Sequence, residues 1–242
     1  MHTPGLTNNF LNRHLYAPAL LFLGAALALE FSNLDLWLAD LLYAWSGSAW
    51  SWRDAWLTSN LIHEGGRTLV GFMVLAVSLL LGSSFLFRRM QPWRKGLLFL
   101  LTSALACGVL INVLKQTSHI DCPWDLLRYG GVQAYVKNFS PLPSNMAPGA
   151  CFPAGHASAG WAWFCLYFWA LEHAWKWRRS LLVFVFSLGL VFGLGQELRG
   201  AHFLSHDVWT LGLSWLLSTL VYLWFYRSHS LNLYPPGCFR QE

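Results

Sequence analysis

The sequence predicts an all-α, polytopic membrane protein with six transmembrane helices and shorter interfacial helices on the outer side. Three observations carry this. Of 242 residues, 55% are hydrophobic and only 11% are charged, a balance foreign to soluble domains. Six apolar runs approach the length of about 20 residues that lets a helix cross a bilayer. Most cations stand between those runs, where lysine and arginine set orientation.

The first run, Ala17–Phe31, is the weakest, and its Ala-Leu-Ala behind Arg13 and His14 also fits a cleavable leader. The spanning reading is preferred, because losing this run would leave an odd number of helices. Residues Ser32–Arg67 interleave leucine and tryptophan with Asp35, Asp40, Asp54 and Glu64, as short helices lying on a membrane face do. The second and third runs, Thr68–Phe87 and Gly96–Leu114, are separated by Arg88, Arg89, Arg94 and Lys95. Then comes the longest polar connection, Gln116–Phe152, broken by Gly130-Gly131, Pro141, Pro143 and Pro148. A loop of this length is usually functional or disordered. The last three runs are Ala157–Trp175, Leu181–Leu198 and Val208–Phe225, with Lys176, Arg178 and Arg179 between the first two of them. The whole chain reads as a single domain, 1–242, without repeats.

Topology follows from the cations. Arg13, the two inter-span clusters and Arg227 share one side if both termini are cytoplasmic. The other side then holds Arg53, Arg67, Lys115, Arg128, Lys137 and Arg199, which stand near polar motifs and are candidate anion ligands. Trp45, Trp50, Trp52, Trp56, Trp93, Trp124, Trp175 and Trp177 fit an interfacial belt. The net charge of +5 is not gathered into one patch, so no nucleic-acid partner is expected. Cys107 and Cys165 fall inside spans and read as core packing, and Cys238 sits idle in the tail. Cys122 and Cys151 share the outer loop, where an oxidising compartment lets them pair as a disulfide.

Two segments at span edges carry chemistry. In Pro153-Ala154-Gly155-His156, proline favours a first helical turn and Gly155 admits close approach. With Ala154, the first amides would then cradle a phosphate, with His156 placed to move a proton. Taken alone, this fragment is better explained as an ordinary helix cap beside an interfacial histidine. In Arg199–Asp207, Arg199 and His202 are three residues apart and share a helical face. Arginine can clamp a phosphoryl group, and a neutral histidine oriented by Asp207 or His206 is a nucleophile. A metal held by His202, His206 and Asp207 is the competing reading, weakened by the lack of a fuller ligand set. Lys115 closes the third run, where a lone lysine commonly snorkels. The three segments nevertheless converge on one face.

Together these segments resemble the type-2 phosphatidic acid phosphatase superfamily of membrane lipid phosphate phosphatases. That family carries a lysine, six residues, then Arg-Pro; next Pro-Ser-Gly-His; then Ser-Arg, five residues, histidine, three residues, aspartate. Here Lys115 and Pro123 keep their spacing, with Cys122 in the arginine position. Ala154 replaces serine in the second motif. The third keeps Gly200-Ala201-His202, but Gln196 stands six residues before His202, and arginine appears at Arg199. His206 stands four residues after His202 and Asp207 five.

The resemblance covers Lys115–Asp207 and implies a metal-independent phosphatase without a cofactor. By analogy His202 attacks phosphorus to form a phosphohistidine, with His206 the alternative nucleophile. His156 protonates the leaving group and then activates water, while Lys115 and Arg199 neutralise the phosphoryl oxygens. Arg128 or Arg67 is a candidate replacement for the missing first-motif arginine, and the Cys122–Cys151 pair would staple the first two motifs together. The implied substrate is a phospholipid, a polyprenyl diphosphate or a lipid A-like glycolipid at the periplasmic face of a bacterial inner membrane. A phosphotransferase of the same fold and a non-catalytic lipid-binding or transport relative are the alternatives. The sequence is silent on oligomeric state.

Overall fold

A computed structural model describes residues 8–141, 143 and 148–227, so Cys238 lies outside the described residues. Among these the chain is helical, with two isolated backbone bridges and no strand. Five helices are long and apolar enough to cross a membrane: α1 (Asn8–Phe31), α3 (Leu57–Leu86), α4 (Arg88–Ser118), α7 (Trp175–Leu198) and α8 (Leu204–Arg227). The short helix α2 (Leu34–Trp45) stands between the first two. Leu20, Phe72, Leu79, Val109 and Val183 are all more than half exposed on the bundle's flanks. Apolar surface of this extent belongs against lipid, and the protein is integral to a membrane.

The run expected as the fourth span is helical but segmented. It consists of α5 (Gly155–Trp161), a 3₁₀ turn at Ala162–Phe164 and α6 (Cys165–His173). It is also the innermost element, packed among α4, α7 and α8, with Ala157, Trp163, Phe164, Cys165 and Phe168 buried. Small residues permit this. A Cβ on Gly160 would lie 2.6 Å from the Gly189 backbone, so α5 and α7 touch main chain to main chain.

In α1, Pro18 has no N–H to give the His14 carbonyl one turn earlier, and the helix widens at Asn12–Tyr16. The freed carbonyl accepts from Trp215 Nε1 at 2.8 Å and Thr219 Oγ1 at 3.2 Å, which ties α1 to α8. Cys107 and Cys165 are fully buried, as expected of core cysteines. Trp50 is not a belt residue. It is 5% exposed and packs with Tyr43 and Tyr129, because Gly200 leaves its ring room: a Cβ there would meet Trp50 Cε2 at 2.6 Å. The positive φ of Gly200, 71°, makes the turn between α7 and α8.

Candidate active site

Three chain segments meet at one end of the bundle. The last turn of α4 brings Lys115, the start of α5 brings His156, and the α7–α8 turn brings Arg199 to His206. Backbone pairing joins the first two: His119 bridges Gly149, and the Cys151 amide donates to the Ile120 carbonyl at 2.8 Å. Cys122 and Cys151 form a disulfide beside that pairing, with their Cα atoms 5.3 Å apart. The Trp124 amide donates to the Gly200 carbonyl at 2.9 Å, which fastens the third segment to the first. Phe203, next to His202, is anchored in an apolar cluster of Ala39, Trp50, Leu126 and Tyr129. The turn is thus clamped by α2 and the long loop together.

The imidazoles are close. His202 Nδ1 and His206 Nδ1 lie 3.3 Å apart, so one ring donates and the other accepts. Phe152 and Phe203 flank His206 edge-on at 5.3 and 5.5 Å. Burial, helped by His206 and the Lys115 charge, holds the His202 imidazole well below its ordinary value. It is therefore neutral at neutral pH. His156 Nε2 lies 3.2 Å from the Ile62 carbonyl, and its ring packs on His63 at 4.6 Å and Phe192 at 4.8 Å. The wide turns of Leu57–Glu64 present Ile62 and His63 to it.

The six outer cations separate into two groups. Arg53 covers the Trp124 ring, Arg67 pairs with Glu64 at 3.5 Å, and Lys137 donates to the Glu30 carbonyl at 2.9 Å. Arg128 forms a two-pronged pair with Asp40 at 2.6 and 2.7 Å, and Tyr129 adds a hydrogen bond to the same carboxylate. Arg128 is therefore a tie between the loop and α2, not a phosphate ligand; an acid 88 residues earlier holds it. Lys115 and Arg199 remain. Lys115 Nζ would lie 3.5 Å from a Cβ on Gly155 and has no ion pair among the described residues. Arg199 Nε donates to the Arg53 carbonyl at 2.8 Å, with its charge near His63 and His156.

Two further expectations need correcting. Ala154 is fully buried, and its amide donates to the His206 carbonyl at 3.3 Å, so it does not face a ligand. Asp207 turns its carboxyl toward α7, against Gly193 and beside Glu197, rather than to either imidazole. His206 takes the place beside His202. Sequence reasoning passed over His63, Glu197 and the contact of Asp35. A histidine directly before Glu64-Gly65-Gly66 and an acid closing an apolar span were the available signals for the first two.

The arrangement gathers two imidazole sites and two cations at one end of the bundle, group types that can hold an anion and move protons. A groove of about 540 Å³ opens between α3, α4 and α5, bounded by Val70, Val74, Gly108, Asn112 and Ser158. No curated protein and no solved structure matches the chain. The sequence model of the PAP2 superfamily matches residues 96–230, which contain all three segments. The chain belongs to the PAP2 superfamily, whose members are phosphoesterases acting on lipid phosphates.

Proposed function

We propose that this protein is a lipid phosphatase that hydrolyses a phosphate mono- or diphosphate ester of a membrane lipid through a phosphohistidine. The observation that carries this is that the segments bearing Lys115 and Arg199 meet at one end of the bundle with neutral, buried His202. His202 Nδ1 faces His206, which leaves Nε2 to attack phosphorus. The P–O ester bond breaks, and the leaving oxygen takes the Nδ1 proton of a protonated His156 whose Nε2 donates to the Ile62 carbonyl. Water then attacks the phosphohistidine, gives its proton to His156, and frees phosphate and the imidazole. Lys115 and Arg199 hold the equatorial oxygens, where charge collects. The residues need no metal for these steps.

The groove favours a lipid substrate. Gly108 and Ala159 leave space along it, and Asn112 and Ser158 lie within one turn of Lys115 and His156. An alkyl chain in the groove would leave its phosphate at the cations. The cation distribution supports cytoplasmic termini and a site facing the periplasm of a bacterial inner membrane, with α2 on that face.

The test is phosphate release by purified protein, with chelator, from phosphatidic acid, phosphatidylglycerol phosphate, undecaprenyl diphosphate and lipid A. Release from at least one, with transient label on histidine, is expected. Label passing to an acceptor lipid without free phosphate would make the protein a transferase; no turnover of any kind would end the reading. A Cβ on Gly108 meets nothing within 4 Å, so Gly108→Phe fills the groove without a backbone clash. It should raise KM for long-chain substrates about ten-fold and spare short-chain ones.

A further inference from the structure

Asp35 lies outside the family-matched region, on α2, and reaches the chemistry from there. It is 6% exposed, and its Oδ1 accepts the Ser205 amide at 2.8 Å across 170 residues. Ser205 is in the first turn of α8, between His202 and His206. The first amides of a helix have no partner within it, and a carboxyl placed there satisfies one and complements the helix dipole. Such caps are normally supplied by the residue preceding the helix; here that position is Phe203, which cannot do it. A cavity of about 10 Å³, room for one water at most, is bordered by Asp35, Glu197 and His202, so the three groups stand together. From the other side, Asn138 Nδ2 donates to Ser205 Oγ at 3.2 Å.

We infer that Asp35 is a positioning residue: by capping the α8 amide at Ser205 from a separate helix, it fixes the His202–His206 spacing on which attack depends. This rests on the proposed phosphatase reading for its kinetic consequence but not for the cap itself. Burial pushes the Asp35 carboxyl above the usual range, while its Ser205 hydrogen bonds pull it back. Either protonation state keeps an oxygen to accept the amide. Asparagine keeps it too.

The experiment compares Asp35→Ala and Asp35→Asn in detergent by two measurements. Hydrogen exchange of the peptide covering 199–210 reads the cap without any substrate. Asp35→Ala should speed exchange at 204–207 by about ten-fold, and Asp35→Asn should leave it near the parent rate. Phosphate release on the best substrate reads the positioning. Asp35→Ala should lower kcat about ten-fold with KM within about two-fold, and Asp35→Asn should restore most of kcat. Unchanged exchange in Asp35→Ala overturns the cap. A kcat near that of the parent, or a loss that asparagine does not rescue, overturns the positioning role. If the parent protein releases no phosphate, the phosphatase reading fails on its own, and exchange still decides the cap.

Discussion

Helix α8 runs between two polar clusters, and the two handle charge in opposite ways. At its C-terminal end Arg227 pairs with Glu172 at 2.6 Å, their side chains 7% and 14% exposed. Tyr222 donates to the same carboxylate at 2.6 Å, so the cluster is neutral and satisfied. At the N-terminal end Lys115, Arg199, His156, His202 and His206 gather with no ion pair among the described residues. Two buried acids of the same end, Glu197 and Asp207, face each other instead. Lys115 and Arg199 are half-buried and carry no carboxylate partner, and unpaired cations beside buried imidazoles are a common mark of a functional site. The satisfied cluster holds the bundle; the unsatisfied one is the proposed anion site.

Substitutions can break or sharpen this contrast. The largest effect is expected at the unsatisfied end: His202→Ala should cut phosphate release about 10³-fold or more while the melting temperature hardly moves. Residual activity near that of the parent would remove His202 from the chemistry. At the satisfied end the reverse is expected. Glu172→Ala strands Arg227 and should cost about 3–5 kcal/mol of stability, read by thermal denaturation in detergent. The turnover of the molecules still folded should be unchanged. Loss of activity without loss of stability there would erase the distinction between the ends.

The disulfide tests whether the open site needs outside support. Cys151→Ser opens a link with a sequence separation of 29, worth about 3 kcal/mol. Denaturation should show that loss, and non-reducing mass spectrometry of the parent should show the two cysteine peptides joined. The smallest effect is expected from Arg128→Ala. This arginine is exposed and tied to Asp40, so kcat/KM should fall less than about two-fold. A fall as large as that from Lys115→Ala would return Arg128 to the phosphate.

The apolar helices, the order of the three segments and their meeting at one end are legible in the chain alone, because hydrophobic runs and spacing are local properties. The sequence also placed the two cysteines that pair. The segmentation of the central helix was not legible, since Ala157–Trp175 is apolar throughout and a 3₁₀ turn leaves no mark on composition. Only the tertiary structure decided which partner each polar group takes. Arg128 finds Asp40 across 88 residues and Ser205 finds Asp35 across 170, and Asp207 turns to Glu197 so that His206 faces His202. These choices depend on how helices far apart in the chain rotate and slide against one another. That register is set by packing at contacts such as Gly160 with Gly189, and no stretch of the chain encodes it alone.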